Sequence, residues 1–223
     1  MKKKYLSLLA LVLAVPLLVA QAIVPFDGTL IALDAGHGGT ETGAVNTAYT
    51  VAEKDVNLAV VLALKSKLET AGAKVVLTRE GDETIASRKD RVQIAIDKCQ
   101  LAAGRKCDIL VSIHHNGSSD ASHDGTLVIY NEKQDIPLAK ALHDALVPLT
   151  NQDEGYLSGG YGITVYNHLI SALTEAYYIT NDVEAEQYRY NQVTQVGKEV
   201  GAQFAGLESY FTNKTSTKGG KPR

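Results

Sequence analysis

The stretch Thr29-Leu30-Ile31-Ala32-Leu33-Asp34-Ala35-Gly36-His37-Gly38-Gly39 decides the fold. Its run of small and branched apolar residues reads as a buried strand, and Gly36, Gly38 and Gly39 end that strand by permitting backbone angles closed to other residues. The turn presents His37 at the carboxyl end of the strand, where the loops of an α/β sheet converge on a ligand or metal. A glycine-rich turn after a strand can also cradle a phosphate. Here, however, Glu41 stands where a dinucleotide fingerprint needs its third glycine, and no Gly-Lys-Ser/Thr follows, which disfavours nucleotide binding.

Outward from that turn, strand-like and helix-like patterns alternate. Glu53 to Thr70 reads as a helix stopped by Ala71-Gly72, with Val56, Val60, Leu64 and Leu58, Val61, Leu62, Leu68 as two apolar stripes. Lys74 to Arg79 is a second short strand, so the first unit is strand, helix, strand with a right-handed crossover. Thr84 to Lys98 predicts the next helix, and Asp108 to Ile113 a buried strand that delivers His114-His115-Asn116-Gly117 at its carboxyl end. Gly125 to Tyr130 predicts a further strand, and Asp135-Ile136-Pro137 opens a helix, proline being tolerated in a first turn.

Thr150 to Gly162 reads as a polar binding loop, Ile163 to Tyr166 as an edge strand, and Ser171 to Ile179 as a buried strand with Glu175 in its middle. A buried carboxylate is costly unless it has a cation or belongs to a site, which makes Glu175 a candidate. Val196, Val200, Phe204, Leu207 and Phe211 form the core-facing stripe of a last helix. The pattern predicts one α/β domain, a mostly parallel twisted sheet flanked by helices on both faces.

Lys2-Lys3-Lys4, the apolar run from Tyr5 to Ala20 and the following Ala20-Gln21-Ala22 have the order of a secretory signal peptide, here residues 1–22. The run is short for a bilayer span, so no membrane span is expected after cleavage. Cleavage removes three lysines and no acid, leaving 19 basic against 25 acidic residues and a net charge of −6. That balance gives no electrostatic case for nucleic acid. Residues 23–212 are long enough for one domain with one core, and 213–223 reads as a disordered tail. Two cysteines, Cys99 and Cys107, have seven residues between them, which in an exported chain suggests a disulfide closing a small loop.

Two histidines at separate strand ends, a glutamate at a helix start and another in a late strand form a set that zinc chemistry could use. A catalytic zinc site needs three protein ligands and an open fourth position. Four motifs in matching order carry a resemblance: Leu33-Asp34-Ala35-Gly36-His37-Gly38-Gly39, Glu53-Lys54-Asp55-Val56-Asn57-Leu58, Ser112-Ile113-His114-His115-Asn116 and Thr174-Glu175-Ala176. From about residue 28 to 212 the chain resembles the zinc-dependent N-acetylmuramoyl-L-alanine amidases of bacterial cell walls. The resemblance implies Zn2+ held by His37, Glu53 and His114, Glu175 as the catalytic carboxylate, and peptidoglycan as substrate. The amide between muramic acid and the first alanine of the stem peptide would be cut, outside the cytoplasm, by a monomer.

The family pattern uses only the first histidine of Ser-Ile-His-x-Asn, so His115 and His123 read as surface or supporting residues, and Asp34 and Arg91 as groups that could orient the site. Two departures stand out: the segment around Cys99 to Lys106 is long for the family, and Tyr177-Tyr178 replaces the usual Gly-Phe after the catalytic glutamate. Some cell-division members carry an inhibitory helical insertion before that glutamate. Only 60 residues separate His114 from Glu175, which leaves no room for one. Competing readings are a catalytically inactive wall-binding protein or amidase regulator on the same fold, and a periplasmic zinc carrier. The first would be expected to lose the four site residues, and the second has no use for a base.

Overall fold

Alternation along Leu30–Ala35, strand β1, sets up two hydrophobic layers, because successive side chains leave opposite faces of a sheet. Ile31, Leu33 and Ala35 enter a large core, and Leu30 and Ala32 a smaller one. The computed structural model describes residues 25–150, 152–159, 162–166 and 168–218. The expected signal peptide lies outside them.

Val45–Asn46 (β2) and Val51–Ala52 (β3) make a small antiparallel ribbon that leads into α1, Glu53–Thr70. After β4 (Lys74–Leu77) come α2 (Arg88–Ala103), β5 (Ile109–Asn116) and β6 (Thr126–Tyr130). Then follow α3 (Ile136–Leu146), β7 (Asp153–Ser158), β8 (Ser171–Tyr178) and α4 (Asp182–Lys218), which is kinked at Asn191. The main sheet has the order β4-β1-β5-β8-β6-β7. β4, β1, β5 and β8 run parallel, while β6 is antiparallel to β8 and parallel to β7.

Helices cover both faces, unequally. α1, α3 and α4 bury Val56, Leu64, Leu138, Leu142, Val200 and Leu207 in the large core. On the other face α2 buries Val92, Ala95 and Cys99 against Leu30, Ala32 and Leu110. α1 buries a single face rather than two stripes, and Leu62 is left exposed.

Several local expectations shift. The second helix begins at Arg88, not Thr84, because Ser87 has extended backbone and its Oγ accepts the Asp90 N–H at 3.1 Å, an N-cap that fixes the start. It runs on to Gly104, whose φ of 66° ends it. Ile163 does not pair at a sheet edge: Gly162–Val165 is a turn of 3-10 helix, and Ile163 packs under α2 in the smaller core. The edge belongs to β7, inside the stretch expected to be loop, where backbone pairing to β6 holds a strand that buries little. Residues 213–218, expected to be disordered, continue α4, and 219–223 lie outside the described residues. Cys99 and Cys107 are joined, tying the end of α2 to the start of β5.

Candidate active site

Three side chains meet at the carboxyl ends of β1 and β5. His37 follows β1, His114 lies near the end of β5, and Glu53 is the first residue of α1, where a carboxylate is favoured by the helix dipole. His37 Nε2 lies 3.1 Å from Glu53 Oε2, and His114 Nδ1 lies 2.9 Å from Glu53 Oε1. One ligand atom from each falls within 4.8 Å of the others.

Backbone donors also reach the Glu53 carboxylate: Ala44 N–H donates to Oε2 at 2.9 Å and His115 N–H to Oε1 at 3.2 Å. Burial works against ionisation of Glu53, but the hydrogen bonds from His114 and His37 outweigh it and hold the carboxyl well below the usual range. Two glycines make the room. A Cβ on Gly36 would stand 2.2 Å from His114 Cε1, and one on Gly43, at φ +65°, 2.3 Å from Glu53 Oε2. Two imidazoles and an ionised carboxylate in this cradle fit a catalytic zinc ligand set.

His37 itself sits at φ 58°, a conformation that non-glycine residues adopt only when held. Two buried arginines hold it. Arg91 donates to the carbonyls of Ala35 at 2.8 Å and His37 at 2.7 Å, and Arg79 to those of Ala35 at 2.9 Å and Gly36 at 2.9 Å. Arg91 also meets Asp34 Oδ1 at 3.0 Å, and the Ser112 hydroxyl donates to Asp34 Oδ2 at 2.6 Å. Burial opposes the charge on Asp34, yet Arg91 and the Ser112 and Thr78 hydroxyls outweigh it and keep its carboxyl below the usual range. Asp34 and Arg91, expected to be either orienting or purely structural groups, thus meet each other and, through Arg91, the backbone that carries His37.

Glu175 pairs in register with His114 across β5 and β8, yet stands outside the three-residue cluster. Its Oε2 is buried and has no hydrogen-bond partner among the described residues. Burial first, then the charges of Glu53 and Glu154, push its pKa well above the ordinary value. A carboxylate so placed is a ready proton acceptor. Glu175, His37 and His114 line one cavity of about 700 Å3, whose wall includes Arg88, Lys89 and Tyr166.

Of the supporting residues, His123 is partly exposed and meets Glu154 Oε1 at 3.0 Å. Tyr178, the departure after Glu175, donates its hydroxyl to Glu154 Oε2 at 3.0 Å; burial and that carboxylate push its pKa up to about 12. His115 is not on the surface: it is 1% exposed. Arg79 and Asn57 also hold the site, and their only sequence signal is position: Arg79 closely follows the end of β4 and Asn57 lies one helical turn after Glu53.

Residues 31–203 match the family model described as N-acetylmuramoyl-L-alanine amidase. The chain belongs to this family. The uncharacterized protein YqiI of Bacillus subtilis is 32% identical over 197 residues, 86% of this chain and 89% of that protein. The N-acetylmuramoyl-L-alanine amidase LytC of the same organism is 29% identical over 192 residues, 84% of this chain but only 36% of LytC. Among solved structures, the catalytic domain of CwlV, an N-acetylmuramoyl-L-alanine amidase from Bacillus (Paenibacillus) polymyxa, is 28% identical with a TM-score of 0.69. That similarity covers 84% of this chain and 98% of the CwlV domain. Among the described residues no helix is long and apolar enough to cross a membrane.

Proposed function

We propose that this amidase hydrolyses the bond between N-acetylmuramic acid and L-alanine in peptidoglycan, with zinc held by His37, Glu53 and His114 and Glu175 as the proton carrier. The observation that carries this reading is the convergence of two imidazoles and an ionised carboxylate on one point, beside a second carboxylate with an unpartnered oxygen. When bound, zinc supplies Lewis acidity, lowering the pKa of water toward about 7 and stabilising negative charge on an amide oxygen.

The chain's own groups do the rest. Glu175 takes a proton from the attacking water as the C–O bond forms at the lactyl carbonyl carbon. It returns that proton to the alanine nitrogen as the C–N bond breaks. Arg79 and Arg91 hold the loop that aims His37. Arg88 and Lys89, on the cavity wall, suit a stem peptide that carries free carboxylates. The signal-peptide reading of residues 1–22 puts the reaction outside the cytoplasm.

Mass analysis of products released from purified wall tests the reading. Peptides with a free N-terminal alanine and intact glycan strands are expected. Cleavage at sugar ends or inside the peptide would overturn it, and wall binding without any cleavage would favour the inactive wall-binding alternative.

A further inference from the structure

Strand β5 delivers two histidines, and the function proposed above uses only the first. The second, His115, is buried against Tyr177, with ring centroids 4.4 Å apart. Its Nδ1 lies 2.7 Å from Asn57 Oδ1, and its Nε2 lies 2.9 Å from Glu199 Oε2 on α4. The Asn57 amide has a defined orientation, because its Nδ2 donates to the Gly36 carbonyl at 3.1 Å and to Glu53 Oε1 at 3.3 Å. His115 Nδ1 must therefore carry a proton and donate to Oδ1.

Beyond Glu199, Gln203 Nε2 reaches Glu199 Oε1 at 3.4 Å and Thr174 Oγ1 at 2.9 Å, next to Glu175 in the chain. Asn57, His115, Thr174, Glu199 and Gln203 are each 1% exposed or less.

Stability does not account for a fully buried histidine–glutamate pair. Taking two ionisable groups out of water is costly, and an apolar pair of similar volume commonly holds two elements together as well or better. What the pair does have is a direct line to the candidate ligand set. We infer that His115, braced by Glu199, is a positioning residue for the metal centre: it fixes Asn57, which in turn fixes the Glu53 carboxylate and the Gly36 carbonyl beside His37. Groups that hold a ligand in place in this way are typically worth roughly 10- to 100-fold in metal affinity. The inference rests on the reading that His37, Glu53 and His114 hold zinc.

The test uses the full mature chain, zinc alone as the probe, a chromophoric chelator as competitor, and thermal melting of the zinc-free protein. The double variant His115→Leu/Glu199→Leu removes both ionisable groups, so neither is left buried without its partner. It should still fold and melt cooperatively, the stranded Asn57 oxygen offsetting part of what removing the buried pair gains, while its zinc Kd rises roughly 10- to 100-fold. An unchanged Kd in a folded double variant would overturn the positioning role. Should the double variant not fold, His115→Gln and His115→Met carry the test. Glutamine can still donate to Asn57 and should retain the affinity, whereas methionine cannot and should lower it; equal affinities would sink the idea. A wild-type chain that binds no zinc would instead refute the metal site itself.

Discussion

Glu175 and His114 are neighbours across two strands, yet the proposed function gives them different duties, and substitution separates the two. His114 belongs to the set of donors that converge within 4.8 Å, while Glu175 keeps a buried oxygen without a partner. Glu175→Gln preserves the shape but removes the basic lone pair, so zinc should stay bound while hydrolysis falls by roughly two to four decades. His37→Ala or His114→Ala leaves two donors, too few to hold the metal tightly, and should empty the site. Metal content measured beside turnover decides between these roles. If Glu175→Gln loses zinc as completely as His114→Ala, Glu175 is a ligand and the coordination must be redrawn.

At the scale of elements, the disulfide locks α2, which covers the smaller core. Cys99 sits in the last turns of α2 and Cys107 just before β5, both buried, with the left-handed Gly104 between them. Closing so short a loop removes unfolded-state entropy worth on the order of 2 to 3 kcal/mol. Replacing both cysteines with serine should lower denaturant stability by about that amount, plus any cost of burying the hydroxyls. No change in the unfolding midpoint would rule out a stabilising role. This bridge was legible from spacing and compartment, as were β1, α1, β5 and β8 from their apolar runs.

What escaped had physical reasons. β7 is held by backbone pairing, not burial, so its Asp153-Glu154-Gly155-Tyr156-Leu157-Ser158 shows no apolar alternation. The Ile163 turn was misread because a short apolar run fits a strand as well as a buried turn. At the site, His37 and His114 stood out because strand ends and glycines announce them, and Glu53 and Glu175 joined them through the resemblance. The buried links through Asn57, His115, Glu199 and Gln203 were not, since they join residues up to 84 positions apart in sequence.

Across the whole molecule, the question is whether anything built into the chain closes the cavity. Between His114 and Glu175 the described residues hold one α-helix, α3, and it is already committed. Leu138, Leu142 and Leu146 bury its apolar face in the core it shares with α1 and α4. A helix so packed could not swing over the cavity without exposing those side chains, at roughly 1.5 to 3 kcal/mol for each leucine. Among the described residues there, the other regular elements are strands β6 and β7, which pair in the sheet, and short 3-10 turns. The purified mature chain should therefore be active on wall fragments as a monomer, with turnover per molecule independent of protein concentration and of any added protein. Turnover assayed over a hundredfold range of enzyme concentration, beside its sedimentation, checks this. Activity that appears only with a second protein, or that rises with self-association, would mean the site is incomplete in the single chain.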